Sequence, residues 1–151
     1  MFSNFSLELK KIINGSKKEM VLLKHSYIGT EHFVLSILKC NNDIKTILNK
    51  FGVTYDLFRN KIIENLGVGE DINSLFVFTP LFKKILEDSI LSSSEEKNDY
   101  VDLSLVFKMM LDEGEGVAFR IFCDLGVNID LLYDSIDIGI NKVSSNSLLF
   151  D

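Results

Sequence analysis

Leu9, Ile12, Ile13, Met20 and Leu23 fall on one face of a helical period. They predict an amphipathic helix over residues 6 to 24, with Ser6 as its N-cap and Gly15 weakening its middle. His25-Ser26-Tyr27-Ile28-Gly29 breaks the pattern. Thr30 is then placed to cap a second helix whose run from Phe33 to Leu38 is almost wholly apolar. Ile44, Ile47, Leu48 and Phe51 share a face of a third helix beginning near Asp43 and ending at Gly52. Thr54 caps a fourth from Tyr55 to Leu66, stopped by Gly67. Residues 67 to 77 lose helical periodicity and read as a linker. Thr79-Pro80 is a strong helix start, for a fifth helix to about Leu91. The polar run Ser92 to Asp99 reads as a frayed end and solvated loop. A sixth helix begins at Asp102 or Leu103, a seventh at Gly116, and an eighth runs from Asn128 to about Asn141.

The pattern is written twice. Phe5-Ser6-Leu7-Glu8-Leu9-Lys10-Lys11-Ile12-Ile13 matches Phe78-Thr79-Pro80-Leu81-Phe82-Lys83-Lys84-Ile85-Leu86, and the same offset of 73 carries Tyr27-Ile28 onto Tyr100-Val101 and Leu38 onto Leu111. One extra residue then carries Gly52-Val53 onto Gly126-Val127. With strand alternation essentially absent, the expected fold is all-α: eight helices as two four-helix repeats related by a pseudo-twofold axis. Repeat one spans residues 1 to 66 and repeat two 78 to 142, together one domain over 1 to 142, with 143 to 151 as a flexible tail.

Composition narrows the functions available. Residues 1 to 75 hold 10 Lys/Arg against 8 Asp/Glu, whereas residues 76 to 151 hold 6 against 14. The acidic second half disfavours nucleic acid as a partner and leaves basic proteins or peptides open. Cys40 and Cys123 sit at non-equivalent positions in apolar stretches, as buried free thiols would. No apolar run reaches the length of a membrane span, and Met1-Phe2-Ser3-Asn4 opens without a basic segment leading into an apolar one. A cytoplasmic protein without membrane contact is expected.

Candidate chemistry concentrates at Gly29-Thr30-Glu31-His32. His25, Glu31 and His32 match no helical two-histidine metal pattern, so no metal or other cofactor is expected. Gly67-Val68-Gly69-Glu70 lacks the lysine-hydroxyl pair of a phosphate loop, and Asp134 with Asp137 does not fit a calcium loop. Thr30-Glu31-His32 has no second acid and no nucleophile with a base, which argues against catalysis. His32 reads as a core histidine and His25 as a residue closing the first helix. Phe2, Phe5, Phe76 and Phe78 cluster near the starts of the copies and would form an apolar peptide patch if exposed.

Gly29-Thr30-Glu31-His32 after Tyr27-Ile28, together with Glu113-Gly114-Glu115-Gly116-Val117-Ala118 and Leu125-Gly126-Val127, resembles the double-repeat N-terminal domain of the Clp (Hsp100) AAA+ unfoldases, most closely the ClpC type. The resemblance covers residues 1 to about 142. It implies a non-catalytic receptor that captures protein substrates or MecA-like adaptors for an ATP-driven ring, and meets a ClpP-type protease only through that ring. It also implies recognition of arginine-phosphorylated proteins. Phosphoarginine needs a carboxylate for its N–H groups and separate donors for its phosphate. Glu31 can supply the first; Ser6, Thr30 and backbone N–H groups at a helix N-terminus can supply the second, beside His32.

Repeat two departs from the family pattern. Asp102-Leu103-Ser104-Leu105 stands where repeat one has Gly29-Thr30-Glu31-His32, and Leu81 stands where the family commonly has arginine. A serine cannot pair with a guanidinium through two oxygens, so Thr79, Lys83 and Ser104 are expected to form a degenerate second site. Repeat one in turn reads Cys40-Asn41-Asn42-Asp43 in place of the acidic-glycine turn. The alternative to a domain of a Clp ATPase is a stand-alone regulatory or adaptor protein without its own ATPase. A phosphate-loop motif in frame beyond Asp151 would discriminate the two.

Overall fold

A computed structural model describes residues 3 to 70 and 75 to 150, the side chains of 140 to 150 excepted. Eight α-helices follow one another among the described residues: α1 Leu7–Leu23, α2 Thr30–Lys39, α3 Asp43–Lys50, α4 Tyr55–Leu66, α5 Pro80–Glu95, α6 Leu103–Glu113, α7 Val117–Asp124 and α8 Ile129–Phe150. Their starts follow the capping residues. Ser6, Asn42, Thr54, Thr79, Asp102 and Asn128 each accept a backbone N–H from the first turn of the helix they precede.

Three boundaries depart from the expected ones. Thr30 is the first residue of α2, not its cap; Gly29 is the cap and has no side chain to offer. The fifth helix continues past Leu91 to Glu95, because Ser93 is buried and donates its hydroxyl to the Tyr100 carbonyl, so the serine run packs rather than frays. The eighth continues past Asn141 to Phe150, through a stretch that carries no glycine or proline to end it after Gly139. Residues 144 to 150 are therefore helical backbone. Gly15 does not interrupt α1. The Ser36 hydroxyl lies where a Cβ on Gly15 would stand, so the glycine lets α2 approach α1 closely.

The two repeats are joined reciprocally. Phe5 bridges Val101, and Phe78 bridges Ile28. Ser6 N–H donates to Val101 and Val101 N–H to Asn4, each at 2.9 Å; Thr79 N–H donates to Ile28 and Ile28 N–H to Val77, again at 2.9 Å. Exchanging the copies at the offset of 73 turns one set into the other. Each repeat thus receives the other's entry segment. The helices obey the same rule, α3 packing on α8 as α7 packs on α4. Phe33 meets Phe82 at 5.1 Å and Phe58 meets Phe122 at 5.5 Å, so aromatic rings from both repeats share one core.

Candidate functional site

The first turn of α2 lies inside this junction. Thr30, Glu31 and His32 are only 3%, 6% and 1% exposed. The Thr30 hydroxyl accepts the backbone N–H of Ala118 at 3.2 Å, across the repeat boundary. It serves as the side-chain cap that Gly116 cannot provide for α7. Gly116 has φ of 99°, a conformation that favours glycine, and a Cβ there would meet Leu81 Cδ2 at 2.7 Å and Thr30 Oγ1 at 3.2 Å. Leu81, Thr30 and the start of α7 are therefore packed together.

Glu31 turns back over Gly29, its carboxylate occupying the space of the missing Cβ. Burial pushes its carboxyl above the ordinary range, while its own backbone N–H and the nearby His25 and Arg120 pull the other way. His32 Nδ1 lies 3.7 Å from Glu31 Oε1, but this is no ion pair. Burial first, and His25 second, hold the His32 ring down to about 3, so it is neutral.

The ring nitrogens of both histidines form a chain with one consistent assignment of protons. His32 Nδ1 lies 2.9 Å from the Gly29 N–H and must accept it. A neutral ring then carries its proton on Nε2, which faces His25 Nδ1 at 2.9 Å. His25 in turn carries its proton on Nε2 and donates to the Gly67 carbonyl at 2.8 Å. The start of α2 is thereby tied to the end of α4. All four ring nitrogens are used within the protein, so His25, Glu31 and His32 come together as a structural cross-link. The helix-closing role expected of His25 is met by its backbone, whose N–H bonds the Met20 carbonyl after Lys24 turns left-handed; its ring serves the cross-link instead.

The remaining candidates separate. Ser6 is bonded through its backbone to Val101, so it sits beside Leu103 and Ser104 of repeat two, not beside Glu31. Thr79 is bonded to Ile28 and so belongs with Thr30 and Glu31. Candidate residues grouped by copy in the sequence are thus paired across copies in space, because each entry segment docks on the opposite repeat. Lys83 is exposed and lies 3.9 Å from Glu87.

The expected apolar patch does not assemble. Phe5 is 2% exposed at one bridge, and Phe78 packs its edge on Phe82 at 5.5 Å at the other. Phe76 is exposed beside Lys17, while Phe2 lies outside the described residues. The thiols also differ from expectation: Cys40 ends α2 half-buried, and Cys123 is exposed. Cys40 still packs against the core, whereas Cys123 does not. No helix among the described residues is long and apolar enough to cross a membrane.

A shared junction of buried Thr-Glu-His, reciprocal bridges and doubled capping can be set beside known proteins. The family model described as the Clp repeat (R) N-terminal domain matches residues 4 to 89. The chain belongs to this family. Among curated relatives, the ATP-dependent Clp protease ATP-binding subunit ClpC of Staphylococcus aureus (strain USA300) is 28% identical over 130 residues, covering 85% of this chain and 16% of the relative. The chain thus spans about 16% of the length of such Clp subunits. Of solved structures, the N-terminal domain of ClpD from Arabidopsis thaliana superposes with a TM-score of 0.75 at 18% identity, over 93% of this chain and 97% of that one. The Hsp104 N-terminal domain of Candida albicans gives 0.71 at 15%, over 89% of each chain. A ClpV N-domain in complex with a VipB peptide gives 0.64 at 18%, over 87% of this chain and 83% of that one. These likenesses establish the all-α Clp N-domain fold, which in Clp ATP-binding subunits is a non-catalytic domain.

Two features of this Clp N-domain are not legible in the sequence: the Thr30 cap on α7 and the docking of the Thr79 segment on Ile28. The repeat offset carried a partial signal, since Gly116 is a helix start without a capping side chain. Nothing in one sequence says which copy supplies the missing hydroxyl.

Proposed function

We propose that this chain is a substrate- and adaptor-recognition domain of a Clp-type ATPase, acting in protein quality control and regulated proteolysis. The observation that supports the reading is the family match over residues 4 to 89, with a fold that packs both repeats into one body. The finer form of the reading is that arginine-phosphorylated proteins bind at a single place, formed by Glu31 and the start of α5, which docks on Ile28. Ser6 drops out of that place, and Thr79 with Arg120 takes over the phosphate. The guanidinium side of phosphoarginine would take the Glu31 carboxylate once it turns out from its own N–H. The phosphate would meet the Thr79 hydroxyl and the Arg120 charge. Ser104 offers no such carboxylate at the second place.

Calorimetric titration of the whole chain with phosphoarginine tests this. One site is expected, lost in Glu31→Gln and retained in Ser104→Ala. Binding should strengthen as pH rises through the carboxyl's folded range, because a guanidinium favours the ionised form that burial disfavours. Repeating the titration over a series of pH values reads that dependence. Two equal sites, or a site indifferent to Glu31, would overturn the proposal.

A further inference from the structure

A groove of about 620 Å³ runs along the outer side of the α1–α2 pair. Lys10, Lys11, Lys18 and Lys39 line it, Gly15 and Ser36 contribute to its wall where the helices touch, and Leu7 and Leu22 stand exposed along α1. Its carboxylate, Glu19, is buried and accepts the Tyr55 hydroxyl at 2.7 Å, so it does not serve the lysines. A second depression of about 380 Å³ shares Lys18 and Leu22 with the groove and adds Lys17, Val21 and Phe76. The surface therefore passes from basic to apolar.

Repeat two shows what such lysines bind. At the offset of 73, Lys10 and Lys11 become Lys83 and Lys84, Asn14 becomes Glu87, Gly15 becomes Asp88 and Cys40 becomes Glu113. Lys84 Nζ contacts Glu113 at 3.0 Å and Asp88 at 3.2 Å, and Lys83 lies 3.9 Å from Glu87. In repeat two the acids are built in. In repeat one the lysines are kept and all three acids are replaced by uncharged residues; among the described residues none of Lys10, Lys11, Lys18 or Lys39 has a carboxylate within ion-pair distance.

We infer that the α1–α2 groove of repeat one binds an acidic peptide segment of a partner protein, whose carboxylates take the places that Asp88 and Glu113 fill in repeat two. An aliphatic or aromatic residue following the acids enters the depression formed by Val21, Leu22 and Phe76. Carboxylates, rather than nucleic-acid phosphates, are the matching anion because carboxylates already occupy the equivalent space in the same molecule, and because the surface continues into an apolar depression. The groove shares no residue with Glu31, so this inference stands or falls apart from phosphoarginine binding.

The experiment measures fluorescence anisotropy of a fluorescein-labelled Asp/Glu-rich peptide ending in Leu-Phe, titrated with the whole chain. Controls are the same peptide with lysine for each acid, and labelled oligothymidylate. Saturable binding of the acidic peptide is expected, weakening as salt rises. It should fall about ten-fold in the double variant Lys10→Gln/Lys11→Gln. It should fall comparably in Cys40→Glu, which restores the acid of repeat two beside Lys11. Glu31→Gln should leave it unchanged. All of these positions except Glu31 lie at the surface or half-buried, and helicity by circular dichroism verifies each fold. Undiminished binding by both groove variants overturns the proposal, as does tighter binding of oligothymidylate. Sedimentation showing that the groove variants abolish self-association, with no peptide bound by the wild type, would overturn it in favour of a second copy as occupant.

Discussion

Lys24 and Lys97 occupy the same position of the two repeats, and both adopt left-handed backbone, with φ of 57° and 59°. Ser16 and Ser89, also equivalent, each donate a hydroxyl to the carbonyl four residues back, at 2.9 and 2.7 Å. After α3 and α7 the turns at Gly52 and Gly126 have φ of 81° and 76°, and Val53 and Val127 close them through the same backbone bond. Against this agreement the differences are local. At the entry to the second helix of each repeat, Thr-Glu-His faces Leu-Ser-Leu; in the groove beside the first helix, uncharged residues face built-in acids. Backbone geometry is held by hydrogen bonds that any compatible side chain permits, whereas recognition depends on individual side chains. The repeats can therefore share one scaffold and part in what they bind.

The largest expected effect comes from the apolar member of the entry pair. Leu103 is buried where repeat one has Thr30, and Leu103→Ala should lower stability by about 2–5 kcal/mol in urea unfolding, as the lost side chain leaves a cavity. Thr30→Val keeps the shape but strands the buried N–H of Ala118, for a loss of about 1–3 kcal/mol. Native-state hydrogen exchange should place that loss in the first turn of α7. Protection lost evenly across both repeats would show that Thr30 acts by packing alone, as Leu103 does.

Protonation separates the repeats next, since Leu105 stands where repeat one has His32. His32 is held down to about 3 from an ordinary 6.5, so between those values the unfolded chain binds more protons than the folded one. Its contribution is complete above 6.5 and is lost as pH falls below it, amounting to about 1 kcal/mol between pH 7 and pH 5.5. Glu31 works with the opposite sign. Its raised carboxyl favours the folded state at low pH, and that contribution is lost as pH rises through its folded value. Comparing urea midpoints of wild type and His32→Leu across this range isolates the histidine. The variant should be less stable overall, with the Gly29 N–H and His25 Nδ1 unpartnered, yet flatter with pH. An unchanged slope would mean that the folded chain does not hold His32 below its ordinary range.

Helix order, the caps Ser6, Thr54 and Thr79 and the doubling of the chain were legible in the sequence because they follow from local rules: an oxygen before a helix, an apolar stripe, a fixed offset. Ser92 to Glu95 was misread because a serine run scores as solvated, and only the distant Tyr100 carbonyl reveals Ser93 as buried. The site was legible as a set of residues but not as a geometry. Thr30, Glu31 and His32 are adjacent in sequence and in space, whereas Ser6 and Thr79 exchange neighbours through the two bridges. That exchange is a relation between copies, and the pattern within each copy is the same whether it occurs or not. The groove was hidden for the opposite reason. Its signal lay in Asn14, Gly15 and Cys40, residues with no charge, whose meaning appears only beside Glu87, Asp88 and Glu113.

The smallest effect on stability should follow from opening the groove of repeat two, and it sharpens the comparison most directly. Asp88→Asn with Glu113→Gln removes the acids that hold the Lys84 ammonium above its ordinary range, Glu113 first and Asp88 second. Lys84 is an exposed lysine in a solvated cluster, where ion pairs contribute little, so the thermal midpoint should barely move. Binding should respond more than folding. The freed lysines ought to bind the acidic peptide that repeat one binds, more weakly, since Leu91 stands where repeat one has Lys18 and Asp112 where it has Lys39. Anisotropy titration in a Lys10→Gln/Lys11→Gln background, which silences the first groove, reads the second alone. A gain of binding there would show that the internal carboxylates of repeat two and an external peptide compete for one kind of place. No gain, with the fold intact, would mean that the lysines of the two repeats are equivalent in sequence but not in use.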